Sequence, residues 1–264
     1  MKVIILCGGM GTRLREETEY KPKPMVEIGG KPILWHIMKL YSHYGYNDFI
    51  LALGYKGNII RDYFLNYFYY NNDITVNLGN EEKTCIHNNH KEQNWKVTLV
   101  DTGQDSMTGY RVKLAGKHIY EDKFMLTYGD AVANVNIKEL VEFHKTKNTI
   151  GTITGVFPPS RFGDLKVKED NTDIIDAFSE KAKVLSDDRM INGGFFIFKK
   201  EFLDILPNDP LCDLERKPLE NLVEKKQLSV YRHTDFWQCM DTYRDFVLLN
   251  NLWLKDPKWK LWNK

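Results

Sequence analysis

Val3-Ile4-Ile5-Leu6-Cys7-Gly8-Gly9-Met10-Gly11-Thr12-Arg13-Leu14 is an apolar run that empties into three glycines within four positions. The run reads as a buried strand, and the glycine segment after it reads as a loop that holds phosphate. Glycines let a backbone pass close to a ligand with its N–H groups pointing inward, a geometry that binds anions. Arg13 and then Lys23, in Lys21-Pro22-Lys23-Pro24, add two positive charges. No Gly-Lys-Ser/Thr comes next, so the loop is not a P-loop; the third glycine and the acidic residue beyond it are misplaced for a dinucleotide fingerprint. Glycines followed by cations suit the α- and β-phosphates of a nucleoside triphosphate, the plain alternative being a tight turn.

Outward from this loop, apolar strand-like runs alternate with amphipathic stretches. Strands are predicted at 3–6, 49–53, 97–100, 124–127 and 149–156, and helices at 32–44, 58–68 and 137–145. In the first helix Ile33, Leu34, Ile37, Met38 and Tyr41 fall at helical spacing and face the core. Such alternation predicts an α/β fold with a mostly parallel, doubly wound sheet. Shorter strands at 164–167, 174–178, 195–198 and 228–231 predict a smaller β-rich portion added at the sheet edge. The whole reads as a single domain over 1–264, with 1–135 mainly nucleotide-binding and 136–264 mainly acceptor-binding and assembly. The Asn- and His-rich stretch 69–94 reads as a lid or assembly arm, with His87 and His90 at its solvated surface. The stretch 253–262, with three tryptophans among lysines, reads as a tail packed back on the body or on a neighbouring subunit.

With 37 basic and 36 acidic residues in 264, no global field draws nucleic acid or an anionic membrane, so cationic chemistry is local and partners are small. The first apolar run is too short for a signal segment and none approaches a membrane span, which reads as a cytoplasmic protein. Cys7, Cys85, Cys212 and Cys239 show no paired spacing and read as reduced packing residues.

Transfer at a nucleotide α-phosphate requires cations on the leaving pyrophosphate, a divalent ion on the α-phosphate and a held nucleophile. Asp130, ending Phe124-Met125-Leu126-Thr127-Tyr128-Gly129, is placed to emerge at the carboxyl end of a strand, where α/β sheets put their ligands. Asp241 reads either as its partner in holding Mg²⁺ or as the N-cap of a helix beginning near Thr242. Ser106 or Thr108 contacts a base or caps a helix, and Arg111 faces phosphate or solvent. Lys181, after Glu180, reaches the cleft or lies on its rim. Asn192 and Gly193 suit sugar hydroxyls or a tight turn.

These motifs in order make the chain resemble the sugar-phosphate nucleotidyltransferases. The runs 21–36, Ser106-Met107-Thr108-Gly109, 157–163 and Met240-Asp241-Thr242 point to the cytidylyl-transferring branch of that family. The resemblance spans nearly the whole chain and implies a Rossmann-like sheet of the nucleotide-diphospho-sugar transferase type. It implies that Leu6, Cys7, Gly8, Gly9, Met10, Gly11, Thr12 and Arg13 wrap CTP, with contacts from Lys23, Ser106 and Arg111. By the same resemblance Asp130 and Asp241 ligate Mg²⁺; Lys181, with Glu180, Asn192 and Gly193, holds a sugar 1-phosphate, glucose 1-phosphate foremost. Arg13, Lys23 and Lys181 are then the catalytic cations, relatives assemble as homo-oligomers, and their products feed polysaccharide synthesis. The chain departs from the family pattern at Tyr110, Ala131, Ala182, Leu214 and Lys217, more on the acceptor side than on the nucleotide side. A different phosphorylated acceptor and a regulatory subunit without catalysis are the alternatives.

Overall fold

The computed structural model describes residues 1–79, 84–87, 92, 94–157, 164–167, 175–179 and 190–262. Seven strands form the central sheet: β1 (Val3–Cys7), β2 (Asp48–Leu53), β3 (Lys96–Asp101), β4 (Lys123–Tyr128), β5 (Gly151–Val156), β6 (Ile191–Lys199) and β7 (Leu228–His233). Their spatial order is β7-β5-β6-β4-β1-β2-β3. All neighbours are parallel except β6, which runs antiparallel to both β4 and β5. The later strands thus occupy one end of the same sheet, while Asp164–Val167 and Ile175–Ser179 pair as a separate ribbon.

β1 is buried along its whole length because both faces are covered, the reason a central parallel strand is continuously apolar. Val3, Ile5 and Cys7 face one layer, and Ile4 and Leu6 the other. On the first face lie α1 (Ile33–His43), with all five predicted residues buried, and later α4 (Ile137–Lys147). The second face takes α3 (Thr108–Gly116) and α5 (Lys217–Glu224). The helix predicted over 58–68 breaks at Asn66, whose side chain turns back to Asp62; α2 (Gly57–Leu65) ends there and a short turn, Tyr67–Tyr70, follows.

The chain ends in α6 (Tyr243–Lys255) and a tail that packs on the body. Trp259 is fully buried and donates its indole N–H to His36 Nδ1 at 3.3 Å; Trp35, Trp253 and Trp262 surround the same imidazole. Of the stretch 69–94, the described part contains the small antiparallel pair Ile74–Thr75 with Cys85–Ile86, exposed except at half-buried Ile86; His90 lies outside the described residues. Cys7 and Cys212 are buried as expected, but Cys85 is exposed and packs no core. No helix among the described residues is long and apolar enough to cross a membrane.

Candidate active site

Adjacent parallel strands β1 and β4 deliver their carboxyl ends side by side, one feeding the glycine loop and the other Tyr128-Gly129-Asp130. A side chain at Gly129 would stand 2.7 Å from Leu6 O, so this approach demands glycine. Asp241 arrives from the far end of the chain. The strand Trp237–Cys239 pairs with Ala131–Ala133, and Met240 N–H donates to Asp130 O at 2.8 Å, which sets Asp241 beside Asp130.

Lys23 rises between them from the short 3-10 turn Lys23–Met25. Its Nζ donates to Asp130 Oδ2 at 2.7 Å and to Asp241 Oδ1 at 2.5 Å, and Arg13 Nη1 pairs with Asp241 Oδ2 at 2.9 Å. Burial opposes the Lys23 charge, but Asp130 and Asp241 more than offset it and hold the ammonium above its ordinary range. The two carboxylates therefore converge on one point that already accommodates a cation, an arrangement that fits Mg²⁺. Among the described residues no third His, Cys, Asp or Glu joins them, which leaves coordination positions for substrate oxygens and water, as this ion prefers. The cleft over this cluster encloses about 250 Å³. Gly9, Gly11, Thr12, Arg13, Lys23, Asp130 and Asp241 line its charged side; Leu6, Pro24, Thr108, Tyr128 and Gly129 line the rest.

Arg111 does not face solvent, and it is not part of the cleft wall. Its buried guanidinium lies under the glycine loop and donates to Gly8 O, Leu53 O, Gly103 O, Gln104 O and Thr102 Oγ1, all between 2.7 and 3.2 Å. Burial, not a carboxylate, dominates its surroundings and lowers its pKa. A Cβ on Gly8 or on Gly54 would meet this guanidinium at 2.3 Å, so both glycines exist to let the cation in. Cys7 points away from the cleft into the core, where burial raises its pKa and keeps it a thiol.

Neither Ser106 nor Thr108 caps α3. Met107 occupies the N-cap without a side-chain bond, and the Gly109 and Tyr110 N–H groups donate to Cys212 O, so this helix start is closed by the chain itself. Thr108 instead donates to Glu215 Oε2 at 2.7 Å, and Tyr128 donates its hydroxyl to Glu215 Oε1. Asn192 Nδ2 reaches Tyr128 Oη at 3.0 Å, and the Gly193 carbonyl accepts from Trp237 Nε1 at 2.8 Å. Burial, then the bond with Asp213, pushes Glu215 above the usual carboxylate range; the same bond holds Asp213 below it. Nor is Asp241 a helix cap. Thr242 takes that place in a reciprocal capping box with Asp245, so the Asp241 carboxylate turns to the cleft.

The structure thus brings Arg13, Lys23, Asp130 and Asp241 together and puts Leu6, Gly9, Gly11 and Thr12 on the cleft wall. Met10 turns to a neighbouring hollow with Thr18, Glu19 and Tyr55. Glu180 and Lys181 lie outside the described residues. Sequence reasoning passed over Tyr128 and Glu215 as chemistry; Tyr128 carried a signal in its place before Gly-Asp at a strand end, whereas the Glu215 contacts span 87 and 107 positions and leave no local trace.

A strand-end glycine loop, two convergent carboxylates and the cations between them define a phosphate-transfer site on an α/β sheet. The family model for nucleotidyl transferases matches residues 2–255, and the chain belongs to that family of enzymes. The glucose-1-phosphate cytidylyltransferase of Salmonella typhimurium is 48% identical over 99% of this chain and 100% of its own length. The probable glucose-1-phosphate cytidylyltransferase of Bacillus subtilis is 43% identical over 99% and 100%. Among solved structures, HddC from Yersinia pseudotuberculosis superposes with a TM-score of 0.66 over 95% of this chain and 98% of its own, at 24% identity. At that identity the likeness bears on the fold alone.

Proposed function

We infer that the chain transfers a cytidylyl group from CTP to glucose 1-phosphate, giving CDP-glucose and pyrophosphate. The full-length 48% identity to an enzyme of that name carries the choice of substrates. A phosphate oxygen of the sugar 1-phosphate attacks the α-phosphorus of CTP in line as the bond from that phosphorus to the β-phosphate bridge breaks. No general base is required, because a phosphate monoester is already ionised at neutral pH. The glycine-loop amides hold the α- and β-phosphates, Arg13 offsets charge on the leaving pyrophosphate and Lys23 holds the triphosphate. Mg²⁺, held by Asp130 and Asp241, would neutralise charge building at phosphorus. Lys181 and Glu180 hold the sugar phosphate in this reading, with Asn192 and Gly193 on its hydroxyls. Positioning and electrostatics supply the acceleration.

Pyrophosphate release, measured with CTP, UTP, dTTP, ATP and GTP against glucose 1-phosphate and then with CTP against other sugar 1-phosphates, tests the assignment. CTP and glucose 1-phosphate lead both panels; equal rates with UTP would remove the cytidylyl assignment and leave nucleotidyl transfer standing. Assembly as a homo-oligomer belongs to the same reading, supported by the exposed apolar side chains of Leu65, Tyr70 and Leu78 around the 69–94 stretch. Light scattering on the purified chain tests it, and a monomer mass would discard it.

A further inference from the structure

Glu215 is not part of the cleft wall, yet its carboxylate joins two residues that are. Tyr128, at the end of β4, donates to one oxygen and Thr108, at the start of α3, to the other. Tyr128 in turn receives Asn192 from β6. Three local constraints make this arrangement definite. Gly194, at φ +82°, leaves space for the Tyr128 ring, which a Cβ would meet at 2.4 Å. Asn192 Oδ1 is fixed by the Gly194 N–H at 2.9 Å. Leu214 N–H donates to Thr108 Oγ1 at 2.9 Å, so the segment carrying Glu215 is clamped on the helix. The same helix carries Arg111, which holds Gly8 O under the phosphate loop. A continuous run of contacts therefore leads from the proposed sugar-binding Asn192, through Tyr128, Glu215 and Thr108, to the helix that supports the nucleotide loop.

We propose that Glu215 is a positioning residue that couples the acceptor wall of the cleft to its nucleotide loop. Because one carboxylate is shared by the Tyr128 and Thr108 hydroxyls, a substrate that shifts or stiffens one of them acts on the other, and the second substrate meets groups that the first has already set. A ligand that stiffens shared groups lowers the ordering cost for its partner and so tightens its binding. The effect is reciprocal, since linkage requires each substrate to alter the affinity of the other by the same factor. The inference rests on the reading that a nucleotide and a sugar 1-phosphate occupy this cleft together.

Equilibrium titration measures the coupling directly. The dissociation constant of the sugar 1-phosphate is determined with and without an α,β-methylene nucleoside triphosphate, which cannot transfer, in wild type, Glu215→Ala, Glu215→Gln and Tyr128→Phe. The sugar and base used are those that lead the turnover panel, so a change of substrate overturns the functional reading and leaves this test standing. In wild type the analogue tightens sugar-phosphate binding about fivefold or more. In Glu215→Ala and Tyr128→Phe the factor falls below about twofold, and the double variant loses nothing further because both residues act through one contact. Glu215→Gln keeps one acceptor oxygen and the side-chain volume, and recovers part of the factor; it also serves where the alanine variant does not fold. Coupling that persists undiminished in Glu215→Ala, or that wild type lacks, overturns the proposal.

Discussion

Gly8 is required by the guanidinium beneath it and not by an unusual backbone angle, which separates it from Gly11, at φ +64°. A methyl group at position 8 must push Arg111 off the carbonyls it holds. Gly8→Ala is expected to raise the Michaelis constant for the nucleotide by at least about tenfold, equivalent to one charge-assisted contact of about 1.5–3 kcal/mol. An unchanged constant would show that the loop does not depend on this support. A second contrast separates two neighbours. Asp241→Asn removes a carboxylate from the Lys23 and Arg13 pairs and is expected to abolish turnover while sparing the helix. Thr242→Ala removes the α6 cap and is expected to cost about 1 kcal/mol of stability. Denaturation and pyrophosphate-release assays on both variants distinguish the roles; equal destabilisation by both would restore Asp241 as part of the cap. The sequence left these two residues ambiguous because adjacent Asp and Thr each make good N-caps, and only the pairing of Trp237–Cys239 decides which one turns to the cleft.

At the scale of elements, the strands and the major helices were legible because burial on both faces imposes unbroken apolar runs and helical spacing imposes the α1 pattern. The closure of the α3 N-terminus was not legible. Its N–H groups are taken by Cys212, more than 100 positions downstream, so a capping rule that looks only at neighbouring side chains had nothing to read. The tail shows the same dependence on distance. Trp259 stacks on Phe236 with ring centroids 5.5 Å apart and closes over His36, joining the last residues to α1. Trp259→Ala is expected to destabilise the fold by about 3–5 kcal/mol, as for other buried aromatics cut to alanine. Urea unfolding measures it, and a loss below about 1 kcal/mol would mean that the tail is merely draped on the surface.

Across the whole molecule, two buried histidines set a limit on acid stability. Burial lowers His36 from 6.5 to about 4, and burial, with Lys123 and Lys199 nearby, lowers His144 to about 4. Each is neutral in the fold and takes up a proton on unfolding. Their contribution to stability is thus complete above about pH 6.5 and is lost as pH falls toward about 4, on the order of 3 kcal/mol each. Urea unfolding at pH 7.5 and pH 5 is expected to show a marked drop, smaller in His144→Gln; identical midpoints at the two pH values would contradict the burial of neutral imidazole. Arg111 exerts its influence over a similar span. Its direct acceptors, four carbonyls and a hydroxyl, are neutral, and the Asp101 and Asp105 carboxylates act on it as nearby charges, so its positive charge stays in place beneath the glycine loop. Salt screens a charge enclosed in this way much less than one held in solvent. The cleft therefore has two cations of different character beside it: exposed Arg13, whose pull on anions fades as ionic strength rises, and enclosed Arg111, whose charge is far less sensitive to added electrolyte.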